Sequence, residues 1–249
     1  GKLRIGARKC GAGGERGVVS LAQRLGNVYL TSLIPPPPSP TPPSSAVLVF
    51  CHPAGPNSFA GALLSAAREE LTARGTSVIV HDAHALAGGG LREEEWRGYF
   101  SWASPGGAFP PPVRGAVADL RRAEALVFVA PTWWFMVPSE LKSYIDRVLL
   151  PGEEGCWELC DPSDSDTLVQ LRPGLRNIQR MGMITTLGTP WWASVYVGQP
   201  HRAMLSRAIR PIMAPMCTFQ WTALHNIDKS TEEERKAFVD HVRKQMRAL

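Results

Sequence analysis

Five short runs of apolar residues alternate along the chain with longer amphipathic segments. The runs are rich in β-branched side chains, which is typical of buried strands, and they lie at residues 47–51, 77–80, 126–129, 181–184 and 217–221. Apolar runs without regular polar alternation indicate strands covered on both faces, as in a parallel sheet. The order of elements therefore predicts an α/β fold, a three-layer sandwich around a five-stranded parallel sheet with strand order 2-1-3-4-5.

The segments between the runs carry apolar positions three and four residues apart, the spacing of one helix face. Glycine, proline and hydroxyl side chains at their ends predict where the helices begin and stop. The predicted helices cover about residues 60–74, 113–122, 139–149, 200–211 and 231–246. Residues 85–111 form a longer connection that suits a lid, and Glu93, Glu94 and Glu95 within it are interpreted as a solvated face.

The amino-acid composition limits the classes of protein to which this chain can belong. Of the 249 residues 44% are apolar, which is enough for the core of one domain. No apolar run approaches the roughly 18 to 20 residues that span a membrane, so we expect no membrane insertion. The five cysteines lack the spacing of zinc sites and of disulfide frameworks, so no metal site is predicted. A reducing compartment fits this cysteine usage best, and we expect a cytoplasmic protein.

The positive net charge belongs to the beginning of the chain. Of 27 basic and 22 acidic residues, six basic and one acidic lie in residues 1–45, which leaves 21 of each sign in residues 46–249. The Gly-, Arg- and Pro-rich residues 1–45 are predicted to form a disordered extension, which could also serve as an organelle transit peptide. The domain predicted at 46–249 is neutral, so nucleic-acid binding has no support.

Two strand ends carry residues that suit parts of one ligand. The first strand opens into a loop with His52, Asn57, Ser58 and Phe59, where a hydroxyl and free N–H groups near a helix start can hold a phosphate. The fourth strand ends in hydroxyl side chains and a glycine, which suit the polar edge of a ring; these residues are Thr185, Thr186 and Gly188.

The third strand ends in large aromatic side chains, where loops normally carry small polar residues. Trp133, Trp134 and Phe135 follow Pro131 and Thr132 and suggest a flat apolar ligand, although such a cluster could also pack under the loop. The first, third and fourth strands are predicted neighbours. Because their carboxyl ends then meet at one edge of the sheet, the three loops are predicted to form a single site.

The region after the third strand resembles the flavodoxin-like NAD(P)H:quinone oxidoreductase family, in which an aromatic pair, a proline and a helix wall a flavin ring. The residues that match in order are Trp133, Trp134, Phe135, Pro138, Leu141, Lys142, Ile145, Asp146, Arg147 and Val148. The loop that contains His52, Ser58 and Phe59 is similar to the family's phosphate loop. Residues 185–188 are similar to its TTGG segment, with Leu187 in place of one glycine.

The resemblance implies a flavodoxin-like fold, a flavin cofactor (FAD or FMN) and NAD(P)H as co-substrate, with ping-pong hydride transfer to a quinone-like acceptor. The resemblance and the positions of the strand-end loops together predict the flavin contacts His52, Asn57, Ser58, Phe59, Pro131, Thr132, Trp133, Trp134, Phe135, Thr185, Thr186 and Gly188. It also implies catalytic roles for Tyr196 and His201, although His201 equally suits the start of a surface helix. We expect a homodimer.

A second functional class is compatible with the same fold. A flavin-binding electron carrier, or a regulatory subunit of a partner such as a potassium efflux system, would use the same loops. Small flavodoxin carriers are usually strongly acidic, whereas this domain is neutral and has a large aromatic loop, which favours the enzyme. Asp146 and Arg147 are interpreted as a structural ion pair or as capping contacts rather than as acid and base.

Overall fold

The computed structural model describes residues 41–99, 109–159 and 171–249. A parallel sheet runs through the middle of this part, with the strand order β2-β1-β3-β6-β7. Its strands are β1 (Ser45–Phe50), β2 (Ser77–Asp82), β3 (Ala125–Pro131), β6 (Arg180–Thr186) and β7 (Thr218–Leu224). This confirms the α/β fold and the predicted 2-1-3-4-5 order. A separate antiparallel pair, β4 (Trp157–Leu159) and β5 (Leu171–Pro173), was not predicted.

Helices cover both faces of the sheet, and this explains why its strands read as continuous apolar runs. Successive residues of a strand point to opposite faces. Val47 and Val49 of β1 therefore belong to one buried cluster, and Leu48 and Phe50 belong to the cluster on the other face. Each face buries its own core.

The helices follow the predicted order with three additions. They are α1 (Phe59–Ala73), α2 (Ala83–Ala87), α3 (Glu93–Gly98), α4 (Pro111–Leu120), α5 (Ser139–Val148), α6 (Trp191–Tyr196), α7 (Pro200–Ala203) and α8 (Glu232–Ala248). Helices α2, α3 and α6 were not predicted, because one or two turns are too short to show a periodicity. α7 continues as a π-helix over Met204–Ile209 and a 3₁₀ turn over Arg210–Ile212. None of the described helices combines the length and the apolar character of a membrane span.

The interpretation of Glu93, Glu94 and Glu95 as a solvated face is wrong for Glu95. Its side chain is buried and forms an ion pair with Arg147 of α5, which is also buried. Arg147 Nη1 donates a second hydrogen bond, of 2.7 Å, to the carbonyl of Leu86. These contacts attach the connection after β2 to α5. Residues 100–108, the remainder of the proposed lid, lie outside the described residues.

Of the two structural interpretations of Asp146 and Arg147, the ion pair with each other is not formed. Adjacent residues of a helix point in different directions, whereas residues four apart lie side by side. Asp146 accordingly pairs with Lys142, with Nζ 2.6 Å from Oδ1, on the exposed side of α5. Arg147 points inward to Glu95. Each of the two residues therefore has its own ion-pair partner.

The described part of the chain starts slightly before the predicted domain boundary. The Ser44 N–H donates to Glu124 Oε2 at 2.8 Å, and Arg180 Nη2 donates to the carbonyl of Thr41 at 3.1 Å. Residues 41–44 thus already contact the body of the domain. Of the disordered extension predicted over residues 1–45, residues 1–40 lie outside the described residues.

Candidate functional site

The loops after β1, β3 and β6 meet at the carboxyl edge of the sheet. β3 pairs with both β1 and β6, so the three strand ends are adjacent. The rings of His52 and Trp133 lie 6.5 Å apart between centroids, which connects the first loop with the aromatic loop. The Thr132 N–H donates to the carbonyl of Thr186 at 2.8 Å, which connects the aromatic loop with the third one.

A cavity of about 540 Å³ opens between the second and third loops. This volume lies in the range of small-molecule sites. It is lined by Pro131, Thr132, Trp133, Trp134, Phe135, Thr186, Leu187, Gly188, Thr189, Ile227 and Asp228. Most of the predicted ring-binding residues therefore surround one space, which we call the aromatic cavity. Thr185 is buried directly behind it.

The aromatic loop is a tight and strained turn. Trp133 and Met136 exchange two backbone hydrogen bonds, of 3.0 and 2.9 Å. The two residues between them, Trp134 and Phe135, have φ angles of 50° and 59°, in the left-handed region that large side chains rarely adopt. Strain of this kind persists where the surroundings enforce it, and it is common at ligand sites. The Trp134 side chain is 95% exposed, so packing in the core does not explain the turn.

His201 holds this turn from behind. Its side chain is fully buried, and its ring centroid lies 4.7 Å from that of Trp221. His201 Nδ1 lies 2.8 Å from the carbonyl oxygen of Phe135. Because a carbonyl only accepts, Nδ1 must carry the proton and donate. Burial lowers the pKa of His201 to about 4, so the imidazole is neutral at physiological pH.

The tautomer of His201 determines the direction of two further hydrogen bonds. With its proton on Nδ1, His201 can only accept through Nε2, and the Thr132 hydroxyl donates to it at 3.2 Å. That hydroxyl has then used its single proton. The Thr185 hydroxyl, 2.8 Å away, must therefore donate to Thr132 Oγ1. A directed chain runs from β6 through the cavity wall to the strained turn.

The first loop can offer a ligand two kinds of hydrogen-bond donor, the ring N–H of His52 and the backbone N–H groups at the start of α1. The Ala54 N–H donates to His52 Nδ1 at 3.1 Å, so the proton of the neutral ring is on Nε2, where it can be donated to a ligand. Burial lowers the pKa of His52, which favours this neutral form. The Ser58 hydroxyl donates to the carbonyl of Gly55 at 2.7 Å and accepts from the Gly61 N–H at 3.0 Å. Ser58 thus caps α1, whose first N–H groups have no partner within the helix.

The third loop combines free N–H groups with an acidic side chain that was not predicted. Within the described part of the chain, the N–H groups of Gly188 and Thr189 have no hydrogen-bond partner. Asp228 lines the same cavity, and a Cβ added to Gly188 would come within 2.4 Å of its Oδ2. Ile227 and Asp228 follow β7, the neighbour of β6. The same rule of strand ends would have found them had it been extended to the last strand.

The structure does not bring the two predicted catalytic residues to the cavity surface. Tyr196, at the end of α6, is 89% exposed and lies outside the cavity lining. His201 is buried behind Thr132 instead of facing the space. The alternative placed His201 at the start of a surface helix. His201 does lie in the first turn of α7, but its side chain is buried there rather than at the surface. Roles for these residues in a reaction stay predictions.

The cysteines among the described residues are expected to be unreactive. Cys51, Cys156 and Cys217 are buried free thiols. Burial raises the pKa of Cys51 and of Cys156 to about 12, and that of Cys217 to about 11. Because the thiolate is the reactive form, these groups are poor nucleophiles at neutral pH.

Comparison with known proteins gives a consistent result. The sequence model of a family described as having a flavodoxin-like fold matches residues 44–249. A ribosyldihydronicotinamide dehydrogenase-like protein of Penicillium crustosum is 30% identical over 179 residues, which cover 67% of this chain and 65% of that protein. Human ribosyldihydronicotinamide dehydrogenase [quinone] is 29% identical over 119 residues, 43% of this chain and 51% of the relative.

The similarity spans less than two thirds of the length of these two relatives. Among solved structures, an NAD(P)H:quinone oxidoreductase from Methanothermobacter marburgensis superimposes with a TM-score of 0.66 at 20% identity, over 82% of this chain and 98% of that one. At this identity the superposition supports the fold.

Proposed function

We propose that this chain, which belongs to the flavodoxin-like family matched over residues 44–249, is an NAD(P)H-dependent flavin oxidoreductase that reduces quinones or similar acceptors. The observation that carries the proposal is the aromatic cavity, with an aromatic turn on one wall and hydroxyl and N–H groups on the other. The names of the two relatives, both dehydrogenases, support the activity.

The residues present fit a flavin. Trp133, Trp134 and Phe135 offer apolar surface to a flat ring, and the unpaired N–H groups of Gly188 and Thr189 offer donors to its polar edge. Gly188 leaves this edge accessible because it has no side chain, and a Cβ there would require the Asp228 carboxylate to shift. The loop of His52, Asn57, Ser58 and Phe59 would hold the phosphate with His52 Nε2–H and the first N–H groups of α1.

A bound flavin would supply the hydride chemistry, accepting a hydride from NAD(P)H and passing it to the acceptor. The protein supplies position and electrostatics. The Trp133–Met136 turn and the 186–189 loop line a single cavity, and donor and acceptor would use in turn the space that a bound ring left free there. The N–H groups of Gly188 and Thr189 would stabilise negative charge on the reduced ring, and Asp228 would oppose it. Neutral His201 keeps the turn in place.

The further expectations are a homodimer and a cytoplasmic location. Trp134, Trp192 and Tyr196 are 95%, 62% and 89% exposed. A second subunit that covered these side chains would remove apolar surface from water.

The buried free thiols Cys51, Cys156 and Cys217 suit a reducing compartment.

The proposal is tested first by cofactor content and turnover. Purified protein is expected to bind FMN or FAD with visible absorbance and to oxidise NADH or NADPH when a small quinone is added. Initial rates should give parallel double-reciprocal lines, because both substrates use the same space. A protein that takes up neither flavin on reconstitution would overturn the proposal. Flavin uptake without turnover on quinone, azo or nitro acceptors would contradict the enzymatic part alone.

A second test concerns the strained turn. Trp134→Gly should leave the flavin-free protein as stable as the wild type or about 1 kcal/mol more stable, because glycine adopts a φ of 50° without strain and the lost side chain is exposed. Flavin affinity should fall by about one to two decades, since stacking on an aromatic ring is worth roughly 1 to 3 kcal/mol. Thermal melting and flavin titration measure the two effects.

The matched control is Trp134→Ala, which removes the same ring but retains the positive φ strain. It should weaken flavin binding to the same extent without the gain in stability. Equal losses of stability in the flavin-free and the flavin-bound protein, with flavin affinity unchanged, would make Trp134 a packing residue.

A further inference from the structure

A second cavity, of about 330 Å³, lies beside α7 and its π-helical continuation. It is lined by Gly198, Gln199, Arg202, Ala203, Ser206, Arg207 and Phe219, none of which lines the aromatic cavity. We call it the arginine pocket. No residue of this pocket has a role in the proposed flavin chemistry.

The pocket is a local concentration of positive charge in a neutral domain. Residues 199–210 contain Arg202, Arg207 and Arg210 and no acidic residue. Among the residues that the structure describes, no carboxylate lies within 4 Å of Arg202 or Arg207. The two guanidinium groups that line the pocket therefore have no acidic counterpart there.

Arg202 is held in place although it is partly withdrawn from water. Its guanidinium carbon lies 5.9 Å from the centre of the Trp221 ring, and Nη1 donates to Gln199 Oε1 at 3.0 Å. Burial lowers the pKa of Arg202, because withdrawing a cation from water is unfavourable. A positioned cation without a carboxylate partner is the arrangement expected of an anion site.

The π-helix explains how the two arginines come to line one pocket. A π-helix closes hydrogen bonds between residues five apart, and Arg202 and Arg207 are five apart. In an α-helix, with 3.6 residues per turn, residues five apart point to different sides. The wider turn over Met204–Ile209 therefore helps both guanidinium groups reach the same cavity. The Ser206 hydroxyl donates to the Arg202 carbonyl at 2.7 Å and supports this turn.

Gln199 adds a third donor. Its backbone has a φ of 48°, in the left-handed region, and its side chain contacts Arg202 through Oε1. The amide nitrogen Nε2 is buried and finds no hydrogen-bond partner among the described residues. A buried donor without a partner costs roughly 1–3 kcal/mol, so it marks a place where a ligand or water is needed.

We propose that the arginine pocket binds a phosphate group of a small ligand. Two guanidinium groups match the charge of a phosphate of about −2 and can donate paired hydrogen bonds to its oxygens. Gln199 Nε2 supplies a further donor, and Phe219 supplies an apolar wall for the remainder of the ligand. This site is separate from the loop of His52 and Ser58 and does not depend on flavin binding.

Calorimetric titration of the full chain, saturated with its flavin where it binds one, tests the proposal with inorganic phosphate and pyrophosphate as probes. Ionic strength is kept constant with chloride. Saturable binding of at least one probe is expected, and Arg207→Gln should weaken it by about tenfold, the effect of losing charge-assisted hydrogen bonds. Arg207 is exposed, so this variant should fold normally.

The control is Arg172→Gln, an equal change of charge at an exposed residue of β5. It should leave the affinity unchanged, and Arg202→Gln should weaken binding further than Arg207→Gln. The absence of saturable binding to either probe, or equal losses in Arg207→Gln and Arg172→Gln, would overturn the proposal. Dependence on Arg207 also distinguishes this pocket from phosphate bound at the loop of Ser58.

Discussion

Replacement of Arg147 by methionine is expected to destabilise the fold by up to about 3–5 kcal/mol, because it removes the buried ion-pair partner of Glu95, whose carboxylate then keeps only its contacts with the largely exposed Arg92. Glu95 and Arg147 are 3% and 8% exposed. Their ion pair attaches α3 to α5, and Arg147 also donates to the Leu86 carbonyl. Denaturant unfolding of wild type and variant measures the loss.

The same helix offers a matched control. Lys142→Met breaks the exposed pair with Asp146 and should cost less than about 1 kcal/mol. The double variant Glu95→Gln with Arg147→Met removes both buried charges and should recover most of the loss. If Arg147→Met lowered the free energy of unfolding no more than Lys142→Met, the buried ion pair would be no more important for stability than the exposed one, contrary to this prediction.

The contribution of the Glu95–Arg147 ion pair to stability should depend on pH. Burial alone would raise the pKa of Glu95, but hydrogen bonds from Arg92 and the charge of Arg147 outweigh it and hold the pKa below 4.5. A carboxyl group with a lowered pKa stabilises the fold fully above its ordinary value, and this contribution is lost as pH falls through the lowered one. The stability gap between wild type and Glu95→Gln should therefore narrow below about pH 4.5.

Replacement of His201 by phenylalanine is expected to cost about 1–3 kcal/mol, because it removes the ring that serves two part-buried polar groups as a hydrogen-bond partner. The Phe135 carbonyl would lose its donor, and the Thr132 hydroxyl would lose its acceptor. The strained turn would then lose its attachment, so flavin affinity should fall together with stability. Thr132→Val should reproduce part of the loss, and Thr132→Ser, which retains the hydroxyl, should show little.

The pH dependence separates this role from simple packing. In the unfolded chain His201 titrates near its ordinary pKa of 6.5, whereas the folded pKa is about 4. Between these values the unfolded state binds more protons, so wild-type stability from this residue is complete above pH 6.5 and is lost as pH falls towards 4. The advantage of wild type over His201→Phe should shrink over that interval. A constant difference would show that burial of the ring does not control its protonation.

The sheet, its strand order and the edge that carries the site follow from the sequence, because they depend on patterns between near neighbours. A buried parallel strand needs a continuous apolar run, and strand–helix alternation leaves few topologies. The same rules predicted that Thr132, Trp134 and Gly188 would share one edge. These rules predict Asp228 at the same edge only when they are also applied to the loop after the last strand.

The tertiary structure decided how individual side chains are used. His201 and Phe135 are 66 residues apart in sequence, and His201 became a buried support because packing placed α7 behind the turn. Glu95 reads as an exposed acid in its own helix, but Arg147, 52 residues later, makes its burial favourable. Local pattern determines which elements form, since propensity and amphipathicity act between neighbours. The burial, protonation and partner of a polar side chain depend on distant residues that meet only in the folded chain.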